Sequence, residues 1–166
     1  MSQSFETEFE IDKDVPLVRI IREFAAEPAR VFAAHADGAQ YAKWIGPPNS
    51  SVTIDHWDCR IGGSYRWAVV RDDFEARFFG SFHDVRVNEL IVQTFTFEGM
   101  RGEVALEKLR FEPIGKGQAP ANKAITQQDK TAPQAPEGGI RGYRASPPCY
   151  SLRIQMLRNA TGLPWP

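Results

Sequence analysis

A pair of glycines, Gly62-Gly63, stands at the start of a segment in which aromatic and polar residues alternate. Tyr65, Trp67 and Val69 share one side of such a strand, because successive side chains of a β-strand point to opposite faces. Adjacent glycines favour a bend or a bulge at this point. Upstream, Trp44 stands at the end of a predicted short helix, just before a Pro-Pro turn. Together these features predict a curved sheet whose aromatic rings face a hydrophobic cavity.

The composition is that of one ordinary globular domain. The chain has 166 residues, of which 42% are hydrophobic and 25% charged, so a core can form without disulfides or metals. The net charge of -1 gives no reason to expect nucleic acid or an anionic membrane as a partner. Two distant cysteines, Cys59 and Cys149, match no metal-ligand spacing. Since no signal peptide and no membrane-length apolar run is visible, we expect a soluble, cytoplasmic protein.

The character of the chain changes near Gln118. Residues 1–117 hold 14 Lys or Arg and 19 Asp or Glu, whereas residues 118–166 hold 6 and 2. Proline rises from 5 in the first segment to 7 in the much shorter second one. A segment with so few large apolar side chains cannot offset its ordering entropy by burial. We therefore predict an α+β domain over 1–117 and an irregular, proline-rich tail over 118–166, for which disorder is one explanation.

The first 117 residues predict six strands and two short helices. The helices are placed by Pro28, which suits a first helical position, and by Asp37, which suits an N-cap. Gly80 predicts a kink in the longest strand. The predicted strands cover residues 17–24, 51–57, 65–69, 74–85, 90–98 and 103–112, and the first helix covers 28–35.

The aromatic residues of these strands form the predicted ligand-binding face. Strict alternation puts Trp67 and Phe95 on the concave face of the sheet, and Arg66 and Thr94 on the other. Ligand cavities are mostly apolar, although the same rings could simply fill a core. The candidate ligand-binding residues are Trp44, Trp57, Tyr65, Trp67, Phe82, Phe95 and Phe97.

Five short motifs follow one another along the chain: Arg22-Glu23-Phe24-x-x-x-Pro28-x-x-Val31-Phe32, Trp44-x-Gly46-Pro47, Asp58-x-Arg60-x-Gly62-Gly63-x-Tyr65-Arg66, Gly80-x-Phe82 and Leu90-Ile91-Val92-Gln93-Thr94-Phe95. In this order they resemble the activator of heat-shock-protein-90 ATPase homologue family, which belongs to the SRPBCC, or START-like, superfamily with the birch-pollen-allergen fold. The resemblance covers about residues 15–113. It implies a helix-grip fold, in which a curved antiparallel sheet of about seven strands wraps a long C-terminal helix.

The tail does not fit this resemblance. After residue 113 the family calls for another strand and then the long helix, and the proline-rich sequence favours neither. The helix is therefore predicted to be missing or replaced. A reading frame shifted near Gln118, a truncation and a divergent end stay open as explanations. If the helix is missing, we expect the aromatic face to be covered by homodimerisation or by residues 150–157, because large exposed apolar patches are rare.

Catalytic and metal chemistry find little support in the residue pattern. Asp55 and His56 are adjacent on a predicted strand, and so are His83 and Asp84, so each pair points to opposite faces. No serine or cysteine stands in a recognisable nucleophile context. We therefore expect no metal, no cofactor and no catalytic residue.

Three functions stay open. The resemblance implies a START-like protein that binds a small hydrophobic molecule, which is the function we expect. It also implies regulation of a chaperone ATPase, with a chaperone as partner. Enzymes of the polyketide cyclase or aromatase type share the fold, and for that activity the polar candidates are Tyr65, Gln93 and Thr94.

Overall fold

Over the residues that the structure describes, the chain forms one antiparallel sheet of eight strands with two short helices on one face. The computed structural model describes residues 7–11, 14, 17–72, 74–114 and 124–131. Along the sheet the strands follow the order β1-β2-β8-β7-β6-β5-β4-β3. The elements are β1 (Thr7–Ile11), β2 (Leu17–Phe24), α1 (Pro28–Ala36), α2 (Gly38–Tyr41), β3 (Ser51–Trp57), β4 (Ser64–Arg71), β5 (Phe74–Arg86), β6 (Leu90–Phe97), a 3₁₀ turn (Glu98–Met100), β7 (Val104–Pro113) and β8 (Ala124–Thr131). The α+β class is confirmed.

The helices begin as predicted. Pro28 occupies the first turn of α1, where its missing N–H removes no hydrogen bond. The carboxylate of Asp37 caps α2 by accepting from the backbone N–H of Gln40 at 3.0 Å. α1 buries Val31 and Phe32, and it packs against β7. We call the face of the sheet that carries α1 and α2 the concave face.

β8 corrects the prediction for the tail. Ala124–Thr131 was predicted to be irregular, but it lies between β7 and β2 and pairs with both. Backbone N–H and C=O groups supply these ladders, so a strand can form there without the apolar side chains that sequence patterns detect. β1 and β8 raise the strand count from the predicted six to eight. The other residues of 118–166, including 150–157 and the position of the long helix, lie outside the described residues, and the domain boundary at 117 stays a prediction.

The glycine pair fixes where β4 starts. Gly62 has a left-handed φ of 78°, which glycine adopts without steric cost. Gly62 N donates to Phe82 O at 2.9 Å, and Phe82 N donates back to Gly63 O at 2.9 Å. The turn is therefore attached to β5, and the strand that follows has a fixed register. Trp67 is then fully buried while Arg66 is exposed, as predicted.

A β-bulge interrupts β3. Strict alternation along this strand would put Trp57 on the face opposite Val52 and Ile54. The pairing with β4 shifts between Ile54 and His56, so the extra residue, Asp55, reverses the phase of the strand. Val52, Ile54 and Trp57 consequently all pack against the same core.

Gly80 has a role different from the predicted kink. β5 runs without interruption from Phe74 to Arg86, and its irregularity falls after Phe82. Gly80 instead lets the ring of Tyr65 cross β5, so that the hydroxyl donates to Thr94 O at 2.6 Å. A Cβ at position 80 would stand 2.0 Å from that carbonyl oxygen and 2.6 Å from the Tyr65 hydroxyl. No larger residue fits without moving β6.

We expect Gly80→Ala to lower the free energy of unfolding by about 1–3 kcal/mol, because the added methyl overpacks a backbone contact. Urea denaturation measures the change. Gly102→Ala is the matched control, since no atom lies within 4 Å of a Cβ built there. Equal stability of the two variants would show that β5 and β6 can separate at Gly80 without cost.

Candidate functional site

A continuous set of stacked and edge-packed rings covers the concave face. Adjacent rings have centroids between 4.6 and 5.8 Å apart, within the range of favourable aromatic pairs. We call this set the aromatic network. Its members are Phe32, His35, Tyr41, Trp44, Trp57, Tyr65, Trp67, Phe78, Phe82, Phe95, Phe97 and Phe111.

All seven predicted ligand-binding residues belong to the aromatic network, but their burial divides them. Tyr65, Trp67, Phe82 and Phe95 are buried, and they pack within the hydrophobic core. Trp44, Trp57 and Phe97 are half-buried at its margin. The first group therefore forms the floor of the face, and the second group forms its less buried margin. Whether these residues bind a ligand stays a prediction.

The C-terminal end of α1 holds two of the half-buried rings in place. Trp44 Nε1 donates to Ala34 O at 2.9 Å, and Trp57 Nε1 donates to Ala36 O at 2.7 Å. These carbonyls belong to the last turn of the helix, where they have no hydrogen-bond donors within the helix itself. Gly38 permits the approach of the second indole, since a Cβ there would stand 2.7 Å from Trp57 Cγ. Both indoles are thus oriented by the backbone of α1.

Sequence reasoning missed several members of the aromatic network. Phe78 stacks between Trp67 and Phe95, at centroid distances of 4.6 and 5.2 Å. Alternation along β5 could have revealed it, because it stands four residues before Phe82 and shares its face. Phe111 was missed in the same way on β7, and it connects the sheet to α1 through Phe32 at 5.3 Å.

A polar pair lies within the apolar floor. Glu107 is fully buried, and its Oε2 accepts from Gln93 Nε2 at 2.9 Å. Gln93 was predicted as a polar candidate, whereas Glu107 was not, although it shares a strand face with the buried residues Ala105 and Leu109. A hydrogen bond in a low-dielectric interior is stronger than the same bond in water, so this pair joins β6 to β7 at Gln93 and Glu107, which face each other across the two strands.

The other polar candidates form hydrogen bonds between strands of the sheet. The Tyr65 hydroxyl donates to the Thr94 carbonyl, and Thr94 Oγ1 accepts from Ser81 N at 3.0 Å. Asp55 is exposed and accepts from Arg77 at 2.7 Å. Over the described ranges no group of three His, Cys, Asp or Glu side chains could hold a metal ion. Within the same ranges no helix is long and apolar enough to span a membrane.

The comparisons with known proteins agree with this geometry. The family model described as "Activator of Hsp90 ATPase homolog 1-like protein" matches residues 25–139, and so includes β8 as well as most of the region of the predicted resemblance. No curated protein matches the sequence.

Solved structures share the fold at low sequence identity. A protein from Chromobacterium violaceum superposes with a TM-score of 0.68 at 21% identity, over 88% of this chain and 94% of that one. A protein from Rhodobacter sphaeroides gives 0.71 at 15% identity, over 93% and 94%. A Silicibacter pomeroyi protein that bears the family's name gives 0.62 at 21% identity, over 87% and 94%. These likenesses confirm the helix-grip arrangement of a curved antiparallel sheet with two short helices.

Cys59 packs against the core beside the site, and its environment makes a testable prediction about reactivity. Burial, together with the negative charge of Asp58, raises the pKa of the Cys59 thiol to about 11. Because the thiolate is the reactive form, alkylation by iodoacetamide should stay slow at neutral pH and rise with a midpoint near that value. The measurement uses Cys149→Ser, which leaves Cys59 as the remaining thiol of the chain. A midpoint near 8.5, the value of an exposed cysteine, would contradict the packing of Cys59.

Proposed function

The chain belongs to the family of activator of Hsp90 ATPase homolog 1-like proteins, and we propose that its concave face binds a small hydrophobic molecule. The observation that carries the proposal is the division of the aromatic network into a buried floor and a half-buried margin. A face of this kind offers apolar contact area beside rings whose positions are already fixed.

Preorganisation supports a binding role. The indoles of Trp44 and Trp57 are held by hydrogen bonds to α1, and each also packs against Tyr41, at centroid distances of 5.0 and 4.7 Å. A ligand that meets such rings spends little free energy on ordering them. Apolar sites with a few placed polar groups are the usual form of small-molecule sites. The ligand would therefore lie along Trp44, Trp57 and Phe97, over the buried floor.

Enzymatic activity of the cyclase or aromatase type finds less support. Its candidates, Tyr65, Gln93 and Thr94, are each engaged in hydrogen bonds that join different strands of the sheet. A catalytic acid or base must reach a proton of the substrate, and these side chains would have to break structural bonds to do so.

Regulation of a chaperone ATPase is the second candidate function, and the description of the matched family favours it. The exposed face opposite the helices carries linked ion pairs. Arg66 pairs with Glu98 at 2.7 Å, and Arg77 pairs with Asp55 at 2.7 Å and with Glu75 at 2.6 Å. Such a charged surface suits a protein partner of polar character better than a lipid. Stimulation of a chaperone's ATPase by the purified protein, lost in Arg66→Glu, would support this function. A homodimer and a cytoplasmic location stay predictions.

We expect Phe97→Ala to weaken the binding of a neutral apolar dye such as Nile red about ten-fold. The change removes roughly 50 Å² of contact at about 25 cal/mol per Å², or about 1.3 kcal/mol. Fluorescence titration measures the dissociation constant. Val87→Ala is the matched control, because Val87 is 73% exposed in the turn between β5 and β6 and is not a member of the hydrophobic core. Equal affinities of the two variants, or no saturable binding to the native protein, would refute a ligand site at this margin.

A further inference from the structure

A half-buried arginine stands on the concave face of β2. Ile20, Arg22 and Phe24 alternate along this strand, and Ile20 is buried while Phe24 packs against the core. The backbone register continues from Arg22 through Thr126 of β8 to Phe111 of β7. Since directly opposed residues of an antiparallel sheet share a face, Arg22 lies on the same side as Phe111. It therefore lies two strands away from Phe111, which is a member of the aromatic network, on the same face of the sheet.

Arg22 forms no ion pair within the part of the chain that the structure describes. Its Nε is buried and finds no hydrogen-bond partner there. Its guanidinium carbon lies 5.1 Å from the ring centroid of Phe24. Burial lowers the pKa of Arg22 from its ordinary value, which is the direction expected when desolvation is not repaid by a neighbouring anion.

Other arginines of the sheet, by contrast, form ion pairs with carboxylates. Arg19, three positions earlier on β2, reaches Glu10 of β1 at 3.3 Å. Arg66 and Arg77 pair with carboxylates on the exposed face. A charged group that is partly removed from water without a partner lowers stability, so its presence calls for an explanation.

We propose that the ligand of the concave face is an amphipathic carboxylate whose anionic head binds Arg22 while its apolar body lies along the aromatic network. This inference rests on the proposed function, because it assigns the ligand class of the same site. A guanidinium matches a carboxylate with two parallel N–H···O bonds, and the cation–π contact with Phe24 helps to hold the guanidinium in place. The head group would supply the acceptor that Arg22 Nε lacks.

The test compares two ligands that differ in the head group alone, decanoate and decanol, each below its aggregation concentration. Isothermal titration calorimetry measures both dissociation constants for the native protein and for Arg22→Gln. We expect the native protein to bind decanoate more tightly than decanol. We expect Arg22→Gln to weaken decanoate binding about ten- to hundred-fold, as for the loss of a charge-assisted hydrogen bond, and to leave decanol binding unchanged.

Two further variants sharpen the result. Arg22→Lys keeps the charge without the planar fork, so it should bind decanoate with an intermediate affinity. Arg19→Gln removes a neighbouring positive charge from the same strand and should leave the affinities for both ligands unchanged. Unchanged decanol binding also shows that each variant keeps the folded face.

The possible outcomes separate the inference from the function on which it rests. If decanol binds and decanoate is not preferred, or if Arg22→Gln leaves the decanoate affinity unchanged, the assignment of Arg22 is wrong while hydrophobic binding stands. If Arg19→Gln weakens decanoate binding as much as Arg22→Gln does, the effect is one of general charge and the assignment is again wrong. If neither ligand binds, both the ligand class and the proposed function are wrong.

Discussion

The last turn of α1 is the point on which the concave face depends. Its carbonyls at Ala34 and Ala36 accept the indole N–H groups of Trp44 and Trp57, which come from the two segments that follow. These bonds satisfy helix acceptors that would otherwise be costly to bury, and they attach the helix to β3 at the edge of the sheet. Because both rings also pack against Tyr41, α1, α2 and β3 form one unit. The half-buried margin of the aromatic network is a consequence of this attachment.

In the interior, buried polar groups hold the strands together, whereas aromatic rings form an apolar surface for a ligand. Tyr65 bonds to Thr94 across Gly80, and Gln93 bonds to Glu107, so the buried polar atoms align β4 to β7. The faces of the aromatic rings take no part in these hydrogen bonds, so they offer apolar contact to a ligand. Arg22 differs from these groups, because its guanidinium is half-buried and no carboxylate of the described residues pairs with it. A site that keeps such a group accepts a cost in stability, which is common where binding requires it.

The sequence predicts those parts of the fold in which a single residue determines the local backbone conformation. Pro28, Asp37 and Gly62-Gly63 each impose a backbone conformation, so the helix starts and the register of β4 follow from them. The face of the sheet on which Trp57 lies does not follow from a local preference. It is set by the bulge at Asp55, and that bulge depends on the pairing of β3 with β4. β8 depends on the open ladders of β2 and β7, and its own side chains give little sign of it. The burial of Glu107 likewise follows from the partner strand, not from its residue type.

The claim that an apolar ligand lies on the concave face is tested most directly by tryptophan indole N–H signals. The chain has four tryptophans, and ¹⁵N-labelled protein titrated with decanol would report on each of them. We predict that the indole signals of Trp44 and Trp57 shift with saturation, while the side-chain Nε–H signals of Arg66 and Arg77, on the opposite face, do not move. Shifts confined to Arg66 and Arg77, or indole signals that stay fixed while decanol binds, would contradict the account.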